Sequence, residues 1–122
     1  MQKRDLGPLP LDAKDILLDR DLEDMPPIAV RGYLYLLCEQ WENGPLTPTL
    51  QGLASVARVT PTIFKRQVWP HILGYFEKTT VNSQEKLIEP VSYSDRLAAI
   101  KRVIKREELT NKQRKLWAKK KS

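Results

Sequence analysis

The sequence predicts a mainly α-helical domain with a small β-hairpin, a winged helix-turn-helix followed by a basic C-terminal helix. Three observations carry this expectation. Thr60-Pro61 sets an N-cap residue before a proline suited to the first helical position, just after an apolar segment and just before a basic one. The stretch from Pro48 to Arg58 also reads as a helix, so two helices meet across a tight turn. Two β-permissive stretches then flank the turn-like Asn82-Ser83-Gln84-Glu85, where the wing of such a domain stands.

A length of 122 residues suits one compact domain. An apolar content of 41% supports a core, and 30% charge points to an extended charged element. Charge is uneven: residues 93–122 hold eleven Lys/Arg against three Asp/Glu (+8), and residues 1–92 hold ten against twelve (−2). The expected division is therefore an arm over 1–11, a winged-helix domain over 12–92 and a basic helix or tail over 93–122. A cationic tail attracts polyanions and favours fast, salt-sensitive association; the alternative is a solvated helix that serves solubility. No apolar run is long enough to span a membrane, and Gly7, Pro8 and Pro10 break what would otherwise be the apolar core of a signal peptide. The single cysteine, Cys38, forms no internal disulfide and fits a reducing cytoplasm.

Residues 1–11 lack periodicity and read as an extended arm. Asp12 to Asp24 is acidic, with a short strand or turn around Lys14 to Leu18. Pro26-Pro27 sets up the strongest helix, Ile28 to Glu42, whose middle carries Tyr33, Leu34, Leu36, Leu37, Cys38 and Trp41 and is expected to be covered on most sides. Asn43-Gly44-Pro45 stops it. Thr47-Pro48 starts the next helix, with Leu50, Leu53, Ala54 and Ala57 on one face. A third helix runs from Pro61 to about Gly74, burying Phe64, Val68, Ile72 and Tyr75 and turning Thr62, Lys65 and Arg66 outward; Pro70 interrupts it. The hairpin strands are expected at 76–81 and 86–91. Ser94 is expected to cap a long final helix with a Leu97/Ile100/Ile104 stripe, and the Thr110…Gln113 pattern to open a second segment at residue 111.

Three motifs carry a family resemblance: Trp41-Glu42-Asn43-Gly44-Pro45-Leu46; Leu53-Ala54 with Ala57-Arg58-Val59-Thr60; and Trp69-Pro70-His71-Ile72-Leu73-Gly74-Tyr75-Phe76. Together with Lys14-Asp15-Ile16-Leu17-Leu18-Asp19 upstream, this pattern resembles the phage and prophage family bearing the YdaU-type domain of unknown function, over about residues 12–97. Two departures stand out: Thr47-Pro48-Thr49 follows the Gly-Pro-Leu turn in place of Pro-Asp-Asp, and the second wing strand lacks an aromatic and carries Glu89. The resemblance implies a winged-helix protein of phage replication modules beside helicase-loading functions, in the cytoplasm of a bacterial host. It implies neither an enzyme nor a cofactor.

The candidate DNA contacts follow from residue type and position. Lys65 and Arg66 open the expected recognition helix, whose first turns reach base edges, and Thr60 and Thr62 border it. Arg58 reaches either a phosphate or an acidic side chain of the domain itself. Lys78 and Lys86 flank the wing turn, opposed by Glu77, Glu85 and Glu89. The tail offers Lys101, Arg102, Lys105, Arg106, Lys112, Arg114, Lys115, Lys119, Lys120 and Lys121, and Trp117 either stacks on a base or anchors against the body. Asp12, Asp15, Asp19, Asp21, Glu23 and Asp24 lack the spacing of a calcium loop and read as a solvated acidic loop. One histidine (His71) and one cysteine are too few for zinc, and Cys38 is expected to be an inert buried thiol. The expected function is non-enzymatic DNA binding, double- or single-stranded, in replication initiation, as a monomer or homodimer, with no metal, cofactor or membrane partner. The alternatives are a docking module for a replicative helicase or its loader, and a transcriptional repressor.

Overall fold

The structure is a computed structural model that describes residues 6–11 and 19–121, with side chains as far as Ala118. The expected strand or turn at Lys14–Leu18, and Asp12 and Asp15, lie outside the described residues. Elements follow in the order α1 (Arg20–Asp24), α2 (Pro27–Asn43), α3 (Leu50–Ala57), α4 (61–75), β1 (Glu77–Val81), β2 (Gln84–Ile88) and α5 (Pro90–Lys121). Among the described residues the fold is mainly helical with one two-stranded antiparallel hairpin. No helix among the described residues is long and apolar enough to cross a membrane.

α2 is the packing hub, but only along one face. Ala29, Gly32, Leu36, Leu37, Gln40 and Trp41 are buried at helical spacing, while Leu34 and Cys38 face outward. The expected inert, buried thiol is therefore an exposed one, because Cys38 lies on the side of α2 that no other element among the described residues covers. Gly32 lets α4 approach closely: a Cβ there would stand 2.7 Å from Val68 Cγ1. The C-terminus of α2 is held from α5, where Arg96 donates from Nε to the Trp41 carbonyl at 2.9 Å. Trp41 in turn donates its indole N–H to the Gly7 carbonyl at 2.9 Å, which ties the N-terminal arm to the body.

α3 begins two residues later than Thr47-Pro48 suggests. The Thr49 hydroxyl accepts from the Gly52 N–H at 3.1 Å and is the actual cap. Its end is a Schellman motif: Val59 N–H bonds to Ala54 O at 3.1 Å and Arg58 N–H to Ser55 O at 3.2 Å. Arg58 occupies the left-handed position (φ 61°) that glycine usually takes. Its guanidinium lies over the Tyr35 ring at 4.6 Å, which offsets part of that conformational cost.

α4 opens as expected, with the Thr60 hydroxyl accepting from Ile63 N–H and Pro61 in the first turn. It then changes pitch three times: α-helix Pro61–Ile63, π-helix Phe64–Val68, α-helix Trp69–Ile72 and 3-10 helix Leu73–Tyr75. Pro70 lacks an N–H and crowds the carbonyl four residues back, and the wider π turn absorbs both defects without ending the helix. Phe64, Val68 and Ile72 are fully buried against α2 and α3. Phe64, Trp69, Phe76, Tyr33 and Tyr75 form a continuous aromatic chain, with centroids 4.8–6.0 Å apart.

The hairpin turn is two residues long, not four. Asn82 (φ 52°) and Ser83 (φ 65°) both take positive φ, as a type I′ turn requires, and β2 therefore spans 84–88 in place of the expected 86–91. Leu46, between α2 and α3, exchanges both backbone hydrogen bonds with Leu87 of β2 (2.8 and 2.9 Å). This short bridge adds a third lane to the sheet in the order Leu46–β2–β1.

Glu89 caps α5, not Ser94: its carboxylate accepts from Val91 N–H at 3.3 Å and Ser92 N–H at 2.7 Å. The same residue's backbone is clamped by buried Gln40, whose amide donates to Glu89 O and accepts from Glu89 N–H. α5 is one helix of 32 residues, about 48 Å long at 1.5 Å per residue. It passes through Thr110 without the expected break, and the Thr110 hydroxyl donates to the Arg106 carbonyl. Ser92, Ala99 and Arg96 face the body, whereas Leu97 of the expected stripe is exposed.

Candidate nucleic-acid interface

Burial of Phe64, Val68 and Ile72 fixes which side of α4 meets solvent. Thr62, Lys65, Arg66, Gln67, Pro70 and His71 are exposed. Among the described residues neither Lys65 nor Arg66 makes an ion pair. The Thr60 hydroxyl is engaged as the cap, and its own exposed position borders this face. Arg58 is exposed too, with its guanidinium stacked on Tyr35 of α2.

The far end of α4 is electrostatically different. Asp21, Asp24, Met25, Pro70, His71, Gly74 and Tyr75 line an open cleft of about 410 Å³. The acidic segment is helical here: the Asp19 carboxylate caps α1 through the Asp21 and Leu22 N–H groups and accepts from the Tyr75 hydroxyl at 3.1 Å. Cations thus gather at the N-terminal half of α4 and carboxylates at its C-terminal end, which orients any polyanion toward the first half.

Burial and the hydrogen bond to Asp19 together push the Tyr75 phenol up to about 12, with the charges of Asp19 and Asp21 adding to the effect. Burial likewise raises Tyr33, helped by the charges of Glu89, Tyr75 and Asp19 around it. A raised folded-state pKa favours the protonated form, so Tyr75's contribution is complete below pH 10 and is lost as pH climbs from 10 to about 12. The urea-midpoint difference between wild type and Tyr75→Phe is expected to shrink across that window. A difference that stays constant from pH 10 to 12 contradicts the assignment.

The hairpin departs from what is expected of a wing. Cross-strand partners are Lys78↔Leu87, Thr79↔Lys86 and Thr80↔Glu85, so Lys78 and Lys86 project from opposite faces of the hairpin. Lys78 also sits 3.5 Å from the Glu85 carboxylate, an exposed and weak pair. Only one of the two lysines can therefore serve a given surface. Glu89, expected to oppose Lys78 and Lys86, belongs to the α5 cap.

α5 holds the remaining candidates. Lys101 and Arg102 are exposed along the docked half, and every residue from Lys105 to Ala118 is exposed, including Lys105, Arg106, Lys112, Arg114 and Lys115. Trp117 lies in this exposed stretch, not buried against the body. The helix carries Lys119, Lys120 and Lys121, whose side chains lie outside the described ones. Arg102 and Arg106 border a second cleft of about 410 Å³ with Leu6, Gly7, Ala99 and Val103. Two exposed or half-exposed residues of this surface escape sequence reasoning: Gln67, because a neutral amide gives no charge signal, and Tyr35, because its partner Arg58 is set only by the Schellman turn. No protein-family model, curated protein or solved structure matches the chain.

Proposed function

We propose that this chain is a non-enzymatic, winged-helix DNA-binding protein of the YdaU-like phage and prophage kind, serving replication initiation in a bacterial cytoplasm. The observation that carries the proposal is the cationic outer side of α4, with Lys65 and Arg66 exposed and the opposite side anchored by Phe64, Val68 and Ile72. A winged helix is supported by the element order helix, bridge, helix, helix, strand, strand, with the bridging Leu46 bonded to β2 and not to β1. In such a domain the second helix of the turn enters the major groove and its early residues contact base edges. Thr60, Thr62 and Arg58 border that contact, Lys86 approaches the backbone from the wing, and the α5 cations supply sequence-independent affinity.

Fluorescence anisotropy on labelled double- and single-stranded DNA across a salt series tests this. Duplex binding is expected at low salt, with the logarithm of affinity falling linearly with the logarithm of salt. Lys65→Ala/Arg66→Ala is expected to weaken duplex binding by about tenfold or more. Failure of wild type to bind any duplex at low salt rejects the proposal. A docking module for a replicative helicase or loader is the second reading, favoured by Leu109 (54% exposed) and Leu116 (61% exposed) on α5, since phosphate contact needs no leucine. A repressor of palindromic sites would require the dimer that sedimentation detects.

A further inference from the structure

We propose that Gln67 is a specificity-determining residue of this interface and reads an adenine in the major groove. The proposal rests on the DNA-binding function above. The π-helix Phe64–Val68 closes with the Trp69 N–H bonded to the Phe64 carbonyl, five residues back. In a regular α-helix a residue three positions after a buried one lies beside the buried stripe. The wider turn swings Gln67 away from Phe64, and Lys65, Arg66 and Gln67 form three consecutive exposed positions between two fully buried ones.

Phe64 and Val68 lock the backbone on either side, so Gln67 projects from a rigid base, as a reading side chain must. Its amide has no hydrogen-bond partner among the described residues and remains available to a ligand. Of the two exposed residues one turn on, Pro70 offers no side-chain donor or acceptor, and His71 lines the acidic cleft with Asp21 and Asp24. Gln67 is also the only primary amide on α4. A planar amide presents one donor and one acceptor together, matching adenine N6 and N7, whereas Lys65 and Arg66 carry donors only and suit guanine or phosphate. π turns recur at functional sites, and here Pro70 supplies the structural reason for one.

The test uses the full chain. Duplexes are enriched from a random library with wild type, Q67A and Q67E, and the products are compared by anisotropy with singly substituted versions. Wild type is expected to enrich adenine at one position and to lose about tenfold in affinity when that base pair is replaced. Q67A should bind both duplexes alike with an unchanged salt slope, and Q67E should move the preference to cytosine, whose N4 donates to a carboxylate. If wild type selects a sequence and Q67A keeps the same preference at every position, the Gln67 assignment is overturned while the interface stands. Wild type binding duplex without any base preference overturns it equally. No duplex binding at low salt removes the DNA-binding function itself, a result read before any variant is compared.

Discussion

Replacing Lys105, Arg106, Lys112, Arg114 and Lys115 together by glutamine is expected to weaken binding to every duplex alike, by about two orders of magnitude at low salt. All five side chains lie on the exposed outer half of α5. Each cation that meets a phosphate releases a condensed counterion and contributes about 0.9 to the slope of log affinity against log salt. The variant's slope should therefore flatten by about that amount for every phosphate that is no longer neutralised. Sequence preference should survive, because phosphate contacts position the protein and carry no base information. Glutamine is a good helix former, so far-UV circular dichroism should stay close to wild type. An unchanged salt slope in a folded variant would remove α5 from the interface and leave its cations with a solubilising role.

Gln40→Leu is expected to cost about 3 kcal/mol of folding stability and to lower the melting temperature by about 10 °C or more. Gln40 has 0% exposure, and its amide is matched to Glu89 at both ends: 3.1 Å to the carbonyl and 2.8 Å from the N–H. Leucine fills similar volume but strands two buried backbone groups, each worth about 1–3 kcal/mol when left unpaired. The damage reaches α5, because the Glu89 carboxylate is aimed at the Val91 and Ser92 N–H groups only while its backbone is held. Urea unfolding followed by tryptophan fluorescence measures the loss. A change below about 1 kcal/mol would mean that the clamp between α2 and α5 is dispensable.

The features legible in the sequence are those whose physics acts within a few residues. Thr60-Pro61 is both cap and helix start because a hydroxyl three residues from its N–H partner needs no other part of the chain. The buried side of α4, the turn after α3 and the existence of a hairpin follow from short-range periodicity in the same way. The departures share a cause as well. Cys38 sits in a run of apolar neighbours, yet its exposure depends on which side of α2 the other helices cover. Ser94 is a sound cap by type, but Glu89 wins because Gln40, 49 positions earlier, holds it in place. Lys78 and Lys86 are equivalent around a turn until a two-residue loop sets the register and sends them to opposite faces.

By itself the sequence determined helices α2 to α5, their order, the charge asymmetry and the cationic start of α4, since caps, prolines and apolar spacing act through covalent neighbours; the short α1 it read as a loop. Only the tertiary structure decided that Leu46 joins the hairpin, that α5 runs unbroken from a buried clamp, and that a π turn exposes Gln67. Those outcomes depend on backbone groups finding partners far along the chain and on side chains competing for one core, and no local pattern encodes either.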